Sequence, residues 1–335
     1  MDYRLLGRTG VKVARLTLGC MMFGRRTGQE ETCAIVDRAL DAGLNFLDTA
    51  NVYNQGRSEE FTGEALRRNG KRAKIILATK VHGMVDESDP NGGGTSRRHI
   101  IEQCEASLKR LQTDWIDLYQ LHRPCPEIAI DETLRALDDL VRAGKVRYLG
   151  TSNHAAWQVV DALWASKELG LNRFVCEQPP YNLLDRRVER ELLPMCQSHG
   201  IGTIPWGPLG GGLLTGKYRR DEPLPSGTRY GDAAPGSNLS RHVTDRVFDI
   251  AETVSALAAE KGCTPSQLAL AWVMQRPGVT APIIGPRTME QLEDNLGAMD
   301  VRITPEDGAR LDEVAPPGTH VSPYYENWGP SLYRW

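Results

Sequence analysis

Residues 44–53 read L-N-F-L-D-T-A-N-V-Y, and this stretch places a carboxylate and a phenol where a strand gives way to a loop. The apolar first half is typical of a short buried strand ending at Asp48, and the small polar second half is typical of a loop. In a barrel of parallel strands, catalytic groups lie at the carboxyl ends of the strands. Because a carboxylate opposes ionisation of a nearby phenol, the pairing of Asp48 with Tyr53 predicts an intervening cation.

Two further polar residues occupy equivalent positions along the chain. Lys80 ends the apolar run of residues 75–79, and His122 follows the run of residues 116–121. Each of the four side chains has an ordinary explanation on its own, as a turn cap, a rim aromatic, a solvated cation or a core imidazole. Their joint placement on successive strand ends predicts one catalytic group made of Asp48, Tyr53, Lys80 and His122.

Short apolar runs alternate with amphipathic segments along the whole chain and predict eight strand–helix units. The predicted strands cover residues 14–20, 44–48, 75–79, 115–121, 146–150, 174–177, 201–204 and 279–284. The predicted helices cover residues 30–42, 58–68, 96–111, 130–143, 155–169, 187–199, 243–261, 265–275, 289–299 and 305–314, with Ser96 as an N-cap. Strands that are apolar on both faces favour a parallel sheet covered by helices.

The economical interpretation is a (β/α)8 TIM barrel of class α/β that forms a single domain over residues 1–335. Residues 1–13 predict an N-terminal hairpin on the barrel floor, and a C-terminal extra helix and an aromatic tail follow the last unit. An open doubly wound sheet is the alternative, but no Gly-x-Gly-x-x-Gly turn follows the first strand. Residues 85–95 and 219–240 follow strands, so both loops are expected to overhang the catalytic rim.

Composition excludes several classes of partner. The chain has 335 residues and a formal net charge of −3, so no basic field is available to hold nucleic acid or an anionic membrane. No apolar run approaches the length of a membrane span, and the first residues do not resemble a signal sequence. Seven scattered cysteines without a Cys-x-x-Cys pair fit reduced thiols and a cytoplasmic location. No metal-ligand spacing occurs, and association into a homo-oligomer stays open.

Longer motifs around these residues resemble the aldo-keto reductase superfamily over nearly the whole chain. They are D-T-A-N-V-Y (48–53), A-T-K (78–80), L-H-R-P (121–124), G-K-V-R-Y-L-G-T-S-N (144–153), E-Q-P-P-Y-N-L-L (177–184), P-L-G-G-G-L-L-T-G-K-Y (208–218) and I-I-G-P-R (283–287). Any one of these motifs is weak alone, whereas the set is specific. The pattern is similar to the bacterial branch near the potassium-channel β-subunits and the sugar-processing reductases.

This resemblance implies an NADPH-dependent reductase of a small-molecule aldehyde or ketone, with keto-sugars and other cyclic ketones as candidates. Tyr53 would protonate the carbonyl oxygen, Lys80 would lower the Tyr53 pKa, and Asp48 would keep Lys80 charged. His122 would donate a hydrogen bond to the substrate oxygen and orient it. The pocket is expected to be lined by Met22, Phe23, Tyr53 and Trp206, and the tail to close over it or to dock on the barrel wall.

The resemblance also implies a cofactor site. Ser152, Asn153 and Gln178 match the positions that hold the nicotinamide carboxamide, and Trp206 matches the aromatic that stacks under the nicotinamide ring. Gly207 replaces a common Ser, so backbone N–H groups of residues 209–213, including Leu209 and Gly211, are expected to contact the phosphates. The phosphate and adenosine site matches Lys217, Gly285, Arg287, Gln291 and Asn295. A guanidinium at Arg287 suits a 2′-phosphate and favours NADPH over NADH.

Alternatives remain open for the function and for single residues. Lys80 on a barrel strand also fits a Schiff-base lyase, although the motif near residues 283–295 argues for a cofactor. A regulatory module that keeps NADPH with weak turnover fits the potassium-channel branch. Three residues or segments also have an ordinary interpretation when each is considered alone. The glycines of residues 210–212 could form a flexible hinge. Arg287 could be a solvated side chain beside a helix, and Trp206 could fill the upper layer of the barrel.

Overall fold

The computed structural model describes residues 2–234, 237 and 239–321. Two short strands, β1 (Tyr3–Leu5) and β2 (Lys12–Ala14), form an antiparallel hairpin at the start of the chain. Leu6, which follows β1, is fully buried and packs with side chains of the barrel interior, among them Phe46 and Leu118. The hairpin therefore covers the barrel floor, as the sequence predicts. The aromatic tail, residues 322–335, lies outside the described residues.

Eight parallel strands follow and form one sheet. They are β3 (Thr17–Gly19), β4 (Phe46–Asp48), β5 (Ile76–Val81), β6 (Ile116–Leu121), β7 (Val146–Ser152), β8 (Phe174–Gln178), β9 (Gly202–Thr203) and β10 (Ile283–Ile284). Their order is β10-β3-β4-β5-β6-β7-β8-β9. The two edges of the sheet also meet. The Thr280 amide donates to the Thr203 carbonyl, and the Ile283 amide donates to the Pro205 carbonyl, each at a distance of 2.8 Å. The sheet is thus the predicted (β/α)8 barrel.

Ten α-helices occur in the part of the chain that the structure describes. They are α1 (Gln29–Asp41), α2 (Arg57–Asn69), α3 (Arg97–Leu111), α4 (Ile130–Arg142), α5 (Ala156–Leu169), α6 (Leu192–His199), α7 (Asp245–Glu260), α8 (Pro265–Gln275), α9 (Met289–Gly297) and α10 (Pro305–Val314). Ser96 caps α3 as predicted, since its side chain accepts a hydrogen bond from the His99 amide. Within these described helices, none is long and apolar enough to cross a membrane.

Several predicted boundaries differ from the observed ones by a few residues, and for three of them the structure shows a local reason. Ala14 pairs with Tyr3 in the hairpin and is not part of β3. The helix predicted over residues 187–199 is broken, because Pro194 has no N–H and its ring excludes a helical carbonyl four residues earlier, so α6 begins only at Leu192. The strand predicted over residues 279–284 shortens to β10, since Pro282 has no N–H for the ladder.

The parallel register brings the polar strand ends together. Asp48 lies opposite Ala78, and Lys80 lies opposite Gln120, so the ends of β4, β5 and β6 are immediate neighbours. The loop after β5 forms part of a cavity wall at this rim. From the later loop, the Tyr230 hydroxyl donates to the Gly210 carbonyl at 3.2 Å. Both predicted loops, in their described residues, therefore lie over the carboxyl end of the barrel.

Candidate active site

Lys80 lies at the centre of a buried hydrogen-bond network. Its Nζ donates to Oδ2 of Asp48 at 2.5 Å, to the Thr49 carbonyl at 2.8 Å and to the Tyr53 hydroxyl at 3.3 Å. The side chain is fully buried, so three acceptors match the three donors of an ammonium group. The cation that the sequence predicts between carboxylate and phenol is therefore present, and it contacts both.

Neighbouring groups keep Lys80 protonated despite its burial. Burial is the largest single influence and acts to lower the pKa of Lys80, but the Asp48 carboxylate and the hydrogen bonds to Asp48 and Tyr53 together raise it, and the net pKa lies above its ordinary value. A Schiff base needs a neutral amine with a free lone pair. A charged amine held by three acceptors does not supply one, which argues against the lyase alternative.

Two side-chain amides complete the surroundings of Asp48. Gln120 and Gln178 donate to its Oδ1 at 3.0 and 2.9 Å, and Gln178 also donates to Oε1 of Gln120 at 3.2 Å. The sequence analysis missed Gln120, whose signal is a polar side chain inside the apolar run of β6. Gln178 thereby gives its side-chain N–H groups to Oδ1 of Asp48 and to Oε1 of Gln120.

Tyr53 and His122 meet edge to face, with ring centroids 5.6 Å apart and an angle of 80° between the planes. Burial raises the Tyr53 pKa, and this effect is larger than the lowering by the Lys80 charge. The Lys80 ammonium acts in the predicted direction and lowers the Tyr53 pKa, but burial of the phenol outweighs it, so the net pKa lies above its ordinary value. The phenol is protonated at neutral pH, which a proton donor requires.

His122 is a neutral imidazole at neutral pH. Burial is the largest cause that lowers its pKa well below the usual range, and the charges of Lys80 and Arg123 add to it. A neutral imidazole carries one N–H donor and one acceptor nitrogen. His122 can therefore donate a hydrogen bond to a substrate oxygen without itself delivering the proton.

A cavity of about 470 Å³ opens at this rim, with His122 in its wall. Its lining is Val52, His82, Gly83, Met84, Gly93, Gly94, His122 and Arg123. Phe23 is fully buried in the hydrophobic core, so the prediction that it lines the pocket is wrong. The sequence analysis did not single out His82 or Arg123. His82 directly follows β5 and Arg123 lies two residues after β6, and these positions near strand ends were the available signal.

The residues predicted to hold the nicotinamide carboxamide lie beside the side chains predicted to be catalytic. The Ser152 hydroxyl donates to the Gln178 carbonyl at 2.8 Å. Asn153 has a left-handed backbone with φ 61°, a conformation that Asn tolerates better than most residues. Its amide donates to the His122 carbonyl at 3.0 Å and accepts from Nε1 of Trp206 at 3.2 Å. The structure thus brings Ser152, Asn153, Gln178 and Trp206 together.

Two buried titratable groups support the turn that carries Ser152 and Asn153. Oε1 of Glu177 accepts from the His154 amide at 3.3 Å, and Nδ1 of His154 lies 2.9 Å from the Ser152 carbonyl. Burial raises the pKa of Glu177 to about 8 and lowers the pKa of His154 to about 4. Both groups are therefore mostly uncharged at neutral pH, as groups in an apolar environment should be.

The glycine-rich segment after Trp206 is an ordered turn. Gly211 and Gly212 have φ values of 68° and 103°, where glycine is favoured, and the Leu209 carbonyl accepts the amides of Gly212 and Leu214. A Cβ added at Gly212 would lie 2.8 Å from Nζ of Lys217. The glycines therefore let the backbone approach a cation closely.

Three cations gather near that turn. Partial burial is the largest cause that lowers the Lys217 pKa, and the charges of Arg287 and Arg229 lower it further. The sequence analysis missed Arg229, whose Nη1 would lie 3.4 Å from a Cβ at Gly211. Cations beside a glycine turn fit an anion such as a phosphate group. The cofactor residues predicted here thus have suitable chemistry.

The other residues of the predicted adenosine site lie at α9. Gly285 and Arg287 precede the helix, and Oε1 of Gln291 accepts the Arg287 amide at 2.8 Å. Asn295 is buried one turn further along the same helix. The N-terminus of α9 therefore lies next to Arg287. Both the free N–H groups of a helix N-terminus and a guanidinium favour binding of a phosphate.

Comparison with known proteins defines the class. Residues 15–316 match the model of the Aldo/keto reductase family, so this chain belongs to that family. It is an oxidoreductase, and its family supports carbonyl reduction as the general activity.

Individual relatives cover nearly the whole chain. The chain is 40% identical over 346 residues to the uncharacterized oxidoreductase YrpG of Bacillus subtilis (strain 168), with both chains fully covered. It is 38% identical to a probable voltage-gated potassium channel subunit beta of Arabidopsis thaliana, over 90% of this chain and 92% of the relative. It is 33% identical to the versiconal hemiacetal acetate reductase of Aspergillus parasiticus, over 93% of this chain and 96% of the relative.

Proposed function

We propose that this protein is an NADPH-dependent reductase that converts an aldehyde or a ketone to the alcohol. The observation that carries the proposal is the Lys80 ammonium, which hydrogen-bonds both the Asp48 carboxylate and the Tyr53 hydroxyl beside a cavity lined by His122. When bound, NADPH supplies the hydride that the carbonyl carbon receives.

Residues of the chain supply the proton that the carbonyl oxygen receives. Tyr53 gives its hydroxyl proton to the carbonyl oxygen, and Lys80 stabilises the phenolate that remains. Asp48 holds Lys80 in its charged form and is itself held by the amides of Gln120 and Gln178. His122 donates a hydrogen bond that orients the substrate oxygen. A small molecule with a carbonyl group is thus the substrate class, and a keto-sugar or another cyclic ketone is a candidate.

The cofactor residues divide into two groups. Ser152, Asn153 and Gln178 hold the carboxamide, while Trp206 lies flat against the nicotinamide ring. The dinucleotide phosphates and the adenosine are held by Leu209, Gly211, Lys217, Gly285, Arg287, Gln291 and Asn295. The nearness of Lys217 to Arg287 supports a phosphorylated cofactor, since two cations there match the extra charge of NADPH.

One domain over residues 1–335 and a cytoplasmic location complete the proposal. All seven cysteines are free thiols, which fits a reducing compartment.

A regulatory role is the second candidate, because relatives from plants and a yeast are named potassium channel β subunits. In that role the protein would bind NADPH and turn over slowly. The presence of all four predicted catalytic side chains in one connected cluster favours an enzyme.

The test is NADPH oxidation by the purified protein with a panel of aldehydes, ketones and keto-sugars, followed by product analysis. We expect one alcohol formed for each NADPH consumed, with NADH a poorer reductant. Tight NADPH binding without turnover on any carbonyl would favour the regulatory role. Borohydride trapping of a substrate on Lys80 would instead establish the lyase.

A further inference from the structure

The cavity carries a positive charge that the proposed reduction does not use. Arg123 lines it and directly follows His122 at the end of β6. Proton transfer and substrate orientation require Tyr53, Lys80 and His122, but no step requires a guanidinium. Among the described residues that line the cavity, there is no Asp or Glu.

Arg123 lies within electrostatic reach of the reacting groups. Burial is the largest influence on three nearby pKa values: it raises that of Tyr53 and lowers those of His82 and His122. The Arg123 charge acts to lower all three pKa values. His82 and His122 both have lowered pKa values and are therefore mostly neutral at pH 7. The guanidinium is thus the permanent cation in the lining of the cavity.

The wall around Arg123 has the composition of a subsite for an amphipathic molecule. Arg123 is half-buried, and a partly desolvated guanidinium interacts with an anion more strongly than a fully hydrated one. Its planar N–H groups match both oxygens of a carboxylate. Val52 and Met84 supply apolar surface in the same wall, which suits a hydrocarbon or aromatic spacer.

We propose that Arg123 binds a carboxylate of the substrate, so that the preferred substrates are oxo acids whose carboxylate is separated from the reacting carbonyl. The carbonyl end lies at Tyr53 and His122, and the acid end lies at Arg123. This inference rests on the proposed reductase activity and names the substrate class of that same site. Arg123 is then a specificity residue of the carbonyl reduction.

The experiment compares matched pairs of an oxo acid and its methyl ester with NADPH. The pairs are 4-formylbenzoate with methyl 4-formylbenzoate, succinic semialdehyde with its methyl ester, and glyoxylate with its methyl ester. The spacer therefore varies while the carbonyl chemistry stays an aldehyde. KM and kcat are measured for the wild type, Arg123→Gln, Arg123→Lys and the control Arg67→Gln. Arg67 is an exposed arginine on α2 outside the cavity lining.

For at least one of the two pairs with a spacer, 4-formylbenzoate or succinic semialdehyde, we expect the wild type to prefer the acid, mainly through KM. Arg123→Gln should raise KM for that acid roughly 10- to 100-fold, the effect of losing one charge-assisted hydrogen bond. The acid-to-ester ratio of kcat/KM should fall accordingly, Arg123→Lys should retain part of the preference, and Arg67→Gln should keep all of it. A purely structural role of Arg123 would weaken acid and ester alike.

Inhibition provides a readout on the wild type that does not depend on a variant folding. Benzoate should compete with the aldehyde more strongly than benzamide, and added salt should weaken benzoate selectively. Equal turnover of acids and esters by the wild type, or an unchanged ratio in Arg123→Gln, would overturn the inference and leave the reductase intact. Failure to reduce both acids and esters would instead overturn the proposed function, and the inference with it.

Discussion

The side-chain amide of Gln178 donates a hydrogen bond of 2.9 Å to Oδ1 of Asp48. This bond joins a residue proposed to hold the cofactor to the carboxylate proposed to keep Lys80 charged. Both residues are almost completely buried, so solvent does not screen the contact. The residues proposed for cofactor binding and for proton donation therefore share one network, and a change at Asp48 is expected to affect both proposed roles.

Replacing Asp48 by Asn should destabilise the fold. The Lys80 ammonium would remain buried without an opposite charge, and breaking a buried pair in this way typically costs about 3–5 kcal/mol. We expect Asp48→Asn to lower the free energy of unfolding in urea by about that amount. The double variant Asp48→Asn/Lys80→Met should recover part of the loss, because the uncompensated charge is gone. A loss below about 1 kcal/mol would mean that the ion pair is not buried as described.

Glu177 should make stability depend on pH. Its folded pKa is raised to about 8 from an ordinary value of 4.5, so the folded protein retains a proton that the unfolded chain has released. Stability is therefore greatest below pH 4.5 for this group and falls as pH rises, by up to about 1.4 kcal/mol per pH unit until pH 8.

Glu177→Gln should remove this dependence. Unfolding is best compared between about pH 7.5 and 8, because His154 has an ordinary pKa of 6.5 and a folded pKa of about 4 and is then mostly neutral in both states. The exposed control Glu60→Gln should keep the wild-type slope. Identical slopes in the wild type and Glu177→Gln would contradict the raised pKa.

Arg287 should decide between the two nicotinamide cofactors. If its guanidinium binds the 2′-phosphate, Arg287→Ala removes a charge-assisted contact that only NADPH makes. Such a contact is worth roughly 1.5–3 kcal/mol. The dissociation constant for NADPH, measured by fluorescence titration, should rise accordingly while that for NADH changes little. Equal weakening of both cofactors would show that Arg287 contacts a part they share.

The Trp206 indole is expected to stack on the nicotinamide ring of the cofactor. Its indole donates to Asn153 at 3.2 Å and packs against side chains of the barrel interior, which places it at the top of the barrel. An aromatic stack adds about 0.5–1.5 kcal/mol beyond burial. Trp206→Ala should weaken NADPH binding, reduce fluorescence quenching on titration and lower kcat, whereas Trp206→Phe should retain much of the binding. A lower melting temperature with an unchanged NADPH dissociation constant would make Trp206 a packing residue only.

Patterns of local sequence predicted the barrel well, because each strand run and each amphipathic helix carries its own periodic signal. Two boundary predictions failed where proline acts on the backbone. Pro194 delays the start of α6, and Pro282 shortens β10. Both errors concern where an element begins, since the loss of one N–H changes a boundary without changing the apolar pattern.

The candidate site was predictable where a motif marks it and not where only folding brings residues together. Asp48 and Lys80 follow apolar runs, so the sequence places them on neighbouring strand ends. Gln120 contacts Asp48 although 72 positions separate them in the chain, and the sequence around either residue does not predict that contact. The sign of the Tyr53 pKa shift was also beyond the sequence, because it depends on how deeply the phenol is buried.

The central claim is that Tyr53 donates the proton in carbonyl reduction. The most direct measurement is the single-turnover rate of NADPH oxidation by Tyr53→Phe with a reactive aldehyde, alongside its NADPH dissociation constant. We expect the rate to fall by at least about 100-fold, as for loss of a general acid, while NADPH binding stays close to that of the wild type. A wild-type rate in a variant that binds NADPH normally would contradict the assignment of Tyr53 as the acid.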